Sequence, residues 1–157
     1  MFSKEETEQF MQMAIDEAQI AFDNQEVPIG AVIVDKKTKE VIAKNHNQKE
    51  GSQKSTAHAE ILVIDEANRK LNNWRLENYV LFTTVEPCLM CAGAIIQSRI
   101  SELYYAASDS KFGAVESLYQ ALNDQRANHQ VEVHSGVLEA ESKKLMQDFF
   151  VNLRLEK

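Results

Sequence analysis

Cysteine is nearly absent from this chain of 157 residues: there are two, Cys88 and Cys91, and they form a single C-x-x-C pair. No disulfide framework is available beyond that pair. Only two prolines and five glycines occur, and none cluster. That leaves no linker, repeat or low-complexity tract of the kind those residues build. No apolar run approaches the roughly 20 residues needed to span a bilayer. The first residues, Met1-Phe2-Ser3-Lys4-Glu5-Glu6, lack the basic-then-apolar layout of a secretory signal, so the expectation is a cytoplasmic protein. An excess of positive charge is missing too. Lysine and arginine number 17 against 24 aspartates and glutamates, a net charge of −7. Taken whole, that balance argues against a nucleic-acid partner.

What is present is an ordinary globular composition, 44% hydrophobic and 26% charged. At this length it predicts one domain over residues 1–157. The charge is unevenly spread. Residues 1–27 carry seven acids and one lysine, whereas residues 28–75 carry nine bases and six acids. The positive stretch includes Lys36, Lys37, Lys39, Lys44, Lys49 and Lys54. A local positive field there can meet a phosphate backbone even when the whole protein is acidic. The same lysines are also what a solvated loop and strand edge would carry.

Hydrophobic periodicity predicts the elements. Ser3 and Glu6 make a capping box for a first helix, in which Phe10, Met13, Ala14, Glu17, Ala18 and Ala21 recur at helical spacing up to Asn24. Val27 to Asp35 reads as a buried strand, Lys36 to Lys39 as a turn, and Val41 to Asn45 as a second strand. After a polar loop, Gln48 to Thr56, the pattern predicts a helix over 58–70, a strand over 79–84, a helix over 88–98 and a strand over 103–106. A short helix near 115–122, a strand near 131–134 and a closing amphipathic helix over 139–155 complete the order. Alternation of this kind implies an α/β sheet with helices on both faces, the first strand pair antiparallel and the later strands parallel.

The informative residues are His58-Ala59-Glu60 and Pro87-Cys88-Leu89-Met90-Cys91. His58, Cys88 and Cys91 are three zinc ligands. A structural zinc site takes four ligands from the protein, while a catalytic site leaves one position for water. Zinc lowers the pKa of bound water toward neutrality, and Glu60 stands two residues from the histidine as a proton carrier. Residues two apart do not share a helix face, so His58 and Glu60 can serve one site only at a helix end. Cys88 and Cys91 do share a face, and Pro87 suits a helix start, whose positive end favours thiolates. The expectation is two helix N-termini meeting at one zinc ion.

This H-x-E…P-C-x-x-C arrangement is the known signature of zinc-dependent nucleobase deaminases. With it go Glu26-Val27-Pro28-Ile29-Gly30-Ala31-Val32, His46-Asn47, Trp74-Arg75-Leu76, Ser98-Arg99-Ile100, Lys111-Phe112-Gly113, Asn128-His129 and Asp148-Phe149-Phe150. On these stretches the chain resembles the bacterial tRNA-specific adenosine deaminase family, of the cytidine/deoxycytidylate deaminase superfamily, over nearly its whole length. The resemblance implies a three-layer α/β/α sandwich with a five-stranded mixed sheet, the cytidine-deaminase-like fold. It implies deamination of adenosine to inosine at the wobble position of a tRNA anticodon loop, with one Zn2+ per subunit and Glu60 as general acid and base. It implies that Asn47 bonds the target nucleotide, that Val27, Ala59, Val85 and Pro87 line the base pocket, and that the Ala59 N–H helps read the ring. Asp109, Lys111, Phe149, Phe150 and Arg154 match positions that contact the surrounding RNA, and a homodimer is implied. The chain departs from the family at Glu116, where a small residue is common, at Gln130, which replaces a frequent arginine, and in a closing helix with fewer bases. Each departure weakens phosphate binding.

Other readings stay open on sequence grounds. A lone C-x-x-C also serves redox sites, but those need no upstream H-x-E. A closed structural zinc would need His46, His129 or His134 as fourth ligand. The same metal chemistry could act on a free base or nucleoside of guanine or cytosine type, which the acidic charge favours, or the zinc could merely hold an RNA-binding module together. Trp74 is expected to pack under the site helices.

Overall fold

The structure is a computed structural model, described over residues 1–156. Its order is α1 (Lys4–Asp23), β1 (Gly30–Asp35), β2 (Val41–His46), a one-turn α2 (Lys49–Ser52), α3 (Ala59–Leu71), β3 (Tyr79–Val85), α4 (Leu89–Ser98), β4 (Glu102–Ala107), a 3-10 turn (Ala121–Asn123), β5 (Glu132–Ser135) and α5 (Glu139–Leu155). The five strands form one sheet in the order β2-β1-β3-β4-β5. β1 is antiparallel to both its neighbours, and β3, β4 and β5 run parallel. β2 and β3 therefore point the same way across β1, as a strand–helix–strand crossover through α3 requires.

Side-chain alternation splits the sheet between two cores. Ala31, Ile33, Leu81, Leu103 and Tyr105 face Val63, Ala67, Ala92 and Ile95 of α3 and α4. Val32, Val34, Val80, Phe82 and Tyr104 face Phe10, Met11, Ala14 and Ile15 of α1. α5 joins α1 on this second face, where Phe149 packs edge-on against Phe22 at 5.7 Å. The result is a three-layer sandwich. The capping box at Ser3 and Glu6 forms as expected. α1 lies so close to β1 that a Cβ on Gly30 would sit 2.0 Å from the Ala14 carbonyl oxygen.

Four sequence expectations change. The polar loop expected over Gln48 to Thr56 contains the one-turn α2. The first strand begins at Gly30, because Pro28 has no N–H for a ladder and the Val27 carbonyl is taken by the Ile29 N–H at 2.9 Å in a tight turn. The helix expected near 115–122 is replaced by turns and the 3-10 segment at Ala121–Asn123. There the N–H groups of Val115, Glu116 and Ser117 donate to the Glu86 carboxylate, and those of Leu118 and Tyr119 both close on the Gly113 carbonyl. Trp74 does not pack under the site helices. It is exposed, with the Arg75 guanidinium 4.7 Å and that of Arg99 5.8 Å from its ring.

Candidate active site and metal centre

His58 is the N-cap of α3 and Cys88 the N-cap of α4, both with extended backbone. An N-cap side chain projects over the helix end, which is how His58 and Glu60 reach one place from positions two apart. Cys91 is a turn further along α4. His58 Nδ1 stands 3.6 Å from Cys88 Sγ and 3.6 Å from Cys91 Sγ, and the three ligand atoms lie within 4.8 Å of one another. His58, Cys88 and Cys91 thus converge where two helix N-termini meet, in an arrangement that could hold a metal ion. Glu60 is buried beside it.

The electrostatics follow from this crowding. Cys88 is pulled down to about 4, first by the hydrogen bond from Cys91, with His58 adding to it. Cys91 moves upward, because Cys88 takes its proton as a hydrogen bond and burial penalises a second thiolate. His58 is raised, chiefly by its contact with Cys88. Glu60 is raised to about 7, by burial first, with the Cys88 charge adding and the His58 charge opposing. A carboxyl whose pKa lies near neutrality is suited to hold and release a proton.

The three histidines that could have closed the metal shell are engaged elsewhere. His46 Nδ1 is 3.0 Å from Glu17 Oε1, His129 Nε2 is 2.7 Å from the Ile100 carbonyl oxygen, and His134 stacks on Tyr104 at 4.3 Å. Three protein ligands and a free neighbouring carboxylate are the layout of a catalytic rather than a structural centre.

Around the ligands, Ala59 opens α3, where a backbone N–H has no intrahelical partner. Val85, Pro87 and Asn47 are buried and Val27 half-buried. Asn47 Nδ2 donates to the Val27 carbonyl at 3.2 Å, and its Oδ1 accepts the Lys49 N–H at 3.2 Å. Lys111 and Arg154 are exposed. Asp109 Oδ1 is occupied by the N–H groups of Lys111 and Phe112 at 3.0 and 3.2 Å. Phe149 is 8% exposed and Phe150 39%, so of that pair Phe150 offers its ring outward. The unusual Glu116 accepts a hydrogen bond from the Tyr105 hydroxyl, and Gln130 pins a turn through the Asp124 and Ala127 carbonyls, each at 3.0 Å.

Two buried acids were not singled out from sequence. Glu26 takes the Glu50 and Gly51 N–H groups at 2.9 and 2.6 Å, and Glu86 gathers the loop after β4. Each stands directly before or within the motif stretches around Pro28 and Pro87, an ionisable residue among apolar ones, and that is the signal that could have marked them.

The fold and this site define a deaminase of the cytidine-deaminase-like class. The MafB19-like deaminase family matches residues 5–154. The tRNA-specific adenosine deaminase of Streptococcus pyogenes serotype M1 is 48% identical over 149 residues, 95% of this chain and 86% of that protein. That of Bacillus subtilis strain 168 is 49% identical over 150 residues, 96% and 92%. A solved structure from work on A-to-I editing by tRNA:A34 deaminases at the wobble position of transfer RNA superposes with a TM-score of 0.83. It is 44% identical and covers 87% of this chain and 98% of its own. The chain belongs to the tRNA-specific adenosine deaminase family.

Proposed function

We propose that this protein converts adenosine to inosine at the wobble position of a tRNA anticodon loop, acting through residues 1–157 as one deaminase domain. The observation that carries the reading is the convergence of His58, Cys88 and Cys91 beside the buried Glu60. Zinc fits these ligands: bonds of about 2.0–2.1 Å to nitrogen and about 2.3 Å to sulfur at tetrahedral angles put the two donors about 3.6 Å apart, the separation found here. One imidazole and two thiolates also suit zinc better than harder cations. When bound, zinc supplies a water acidified to near neutral pH and charge stabilisation at the carbon under attack.

The chain's own groups do the rest. Glu60 takes one proton from the attacking water and delivers it to the adenine ring nitrogen as the C–O bond forms; it then takes the second proton from the added hydroxyl and gives it to the amine, which leaves as ammonia as the C–N bond breaks and the carbonyl forms. Its burial excludes bulk water from that transfer. The Ala59 N–H and Asn47 orient the nucleotide, and Val27, Val85 and Pro87 wall the base, which single-stranded loops present unstacked. Lys111, Phe150 and Arg154 meet the surrounding RNA, with Asp109 and Phe149 shaping the surfaces that carry them. A tRNA substrate places the enzyme in the cytoplasm. A second copy is the expected partner, and the groove of Ile64, Asn68, Trp74, Ala94, Gln97 and Ser98 between α3 and α4 supports this by leaving apolar surface beside the site helices. Among the described residues, no helix is long and apolar enough to cross a membrane.

Deamination of a free guanine or cytosine by the same site is the second reading, favoured by the net charge of −7. Salt separates the two. Turnover of an anticodon stem-loop should weaken steeply with added salt as phosphate contacts release counterions, whereas turnover of a free base should barely respond. Salt-insensitive turnover of guanine with an inert stem-loop would replace the RNA reading with the small-molecule one.

A further inference from the structure

Glu86 is 3% exposed and lies between Val85 and Pro87, two residues before the first cysteine ligand. Its carboxylate receives five donors from one loop. Oε1 accepts the Asp109 N–H at 3.0 Å and the Ser117 hydroxyl. Oε2 accepts the N–H groups of Val115, Glu116 and Ser117 at 3.0, 2.7 and 2.9 Å. The main chain straps the same two segments together, through the Glu86 N–H on the Ala107 carbonyl and the Ala114 N–H on the Pro87 carbonyl, each at 2.8 Å. A Cβ on Gly113 would meet the Glu86 carboxyl carbon at 2.4 Å, so only glycine lets the loop wrap the carboxylate this closely.

The pinned loop displays Lys111 and Phe112 side by side, and Phe112 is 67% exposed. A cation beside an open aromatic ring is the pair that takes a phosphate and an unstacked base. Asp109 fixes the backbone under both by accepting their N–H groups. The three candidate metal ligands come from α4 and from the N-caps of α3 and α4, and none comes from this loop.

We propose that Glu86 is a positioning residue: by gathering the N–H groups of residues 109–117 it sets Lys111 and Phe112 at a fixed place relative to the cysteine ligands, and so governs how RNA is seated. The inference rests on the RNA reading above. A carboxylate does this work and an amide does not. In Glu86→Gln, an NH2 group in the place of Oε2 faces three N–H donors, and in the place of Oε1 it faces the Asp109 N–H and the Ser117 hydroxyl, which can turn to accept; at least one N–H loses its acceptor either way.

The test is the steady-state kinetics of wild type, Glu86→Gln and Glu86→Asp on an anticodon stem-loop, with zinc content measured alongside. For Glu86→Gln we expect KM to rise about tenfold, the effect of mis-seating a contact worth about 1.4 kcal/mol. kcat should stay within about threefold and zinc at the wild-type level, with Glu86→Asp between the two. A residue that only supports the fold would lower the active fraction, and hence kcat, at unchanged KM, and that result overturns the proposal. If Glu86→Gln fails to fold, Ser117→Ala removes a single donor, and an unchanged KM in that variant overturns it as well. Failure of the RNA reading is seen separately, as wild-type protein that makes no inosine in the stem-loop.

Discussion

Glu86 and Glu102 sit at opposite ends of the parallel strands, one just past the end of β3 and the other opening β4, and they are about equally buried at 3% and 6% exposed. Their charges go opposite ways. Burial alone would raise Glu86, but the donors of the Glu116, Ser117 and Asp109 backbone and the Ser117 hydroxyl overcome it and lower its pKa. Glu102 is raised, by burial first and by the neighbouring Glu132 carboxyl second. Lys36, whose Nζ is 3.6 Å from Oε1, opposes this first, with His134 adding, and among the described residues Oε2 has no hydrogen-bond partner. Donor supply, not burial, decides whether a buried carboxyl keeps its charge. The supply follows the fold. The carboxyl end of a parallel strand faces helix N-termini and connecting loops rich in free N–H groups, and this is where α/β sheets bind ligands. The other end offers strand starts.

The same contrast separates two clusters of metal-binding residue types. His58, Cys88 and Cys91 at one end and Glu102, Glu132 and His134 at the other each bring their ligand atoms within 4.8 Å. Only the first has a thiol held low, that of Cys88, which Cys91 and His58 stabilise as a thiolate where two helix N-termini meet beside the buried Glu60. At the second, a lysine already occupies the charged oxygen of Glu102.

The comparison is tested first where the effect should be largest. Glu60→Gln keeps the three ligands and removes the proton carrier, so deamination should fall by about 10²–10⁴ while zinc remains bound. Wild-type turnover in the zinc-loaded variant would break the assignment. Cys91→Ser should abolish both activity and tight zinc binding, because a hydroxyl is a far poorer ligand than a thiolate. His134→Ala should leave the zinc content at the wild-type value. Elemental analysis of both variants checks this pair, and loss of zinc from the His134 variant would mean the second cluster also binds metal.

The smallest effect belongs to Glu102. A carboxyl whose folded pKa is raised favours the folded state at low pH and loses that contribution as pH rises from its unfolded pKa through its folded one. Glu102 faces Lys36, Glu132, His134 and Tyr104, and removing its charge should relieve a cost that builds through that window and is fully present above it. Glu102→Gln should therefore raise Tm at pH 8 relative to wild type and give no such gain at pH 4. A variant less stable than wild type at pH 8 would show that the Lys36 pair outweighs the burial.

The two ends of the sheet also differ in how much could be read from the sequence. The convergence of His58, Cys88 and Cys91 beside Glu60 was legible because it rests on residue type and short spacing: histidine and glutamate two apart fit one site only at a helix end, and the cysteines share one turn at the start of α4. Strand direction near β1, β2 and β3 followed from one short turn and one crossover, whereas the place of β1 between β2 and β3 did not. The loop of residues 109–117 was not legible as turns. The apolar residues of 115–122 fit a helical pattern, but the backbone where that helix was expected to start is set by a carboxylate 29 to 31 residues earlier in the chain. Trp74 was misplaced for a related reason: its ring stays largely exposed beside the Arg75 and Arg99 guanidinium groups rather than entering the core, a choice that hydrophobicity alone does not encode. Phe149 and Phe150, adjacent and chemically identical, divide between core and surface by the helical turn alone.

The most direct test of the account is inosine formation by zinc-loaded protein given an anticodon stem-loop with adenosine at the wobble position, beside free adenosine, cytosine and guanine, with zinc-loaded Glu60→Ala as control. The account predicts inosine in the stem-loop with wild type, little or none with Glu60→Ala, and no turnover of the free compounds. Turnover of a free base with an untouched stem-loop would contradict it.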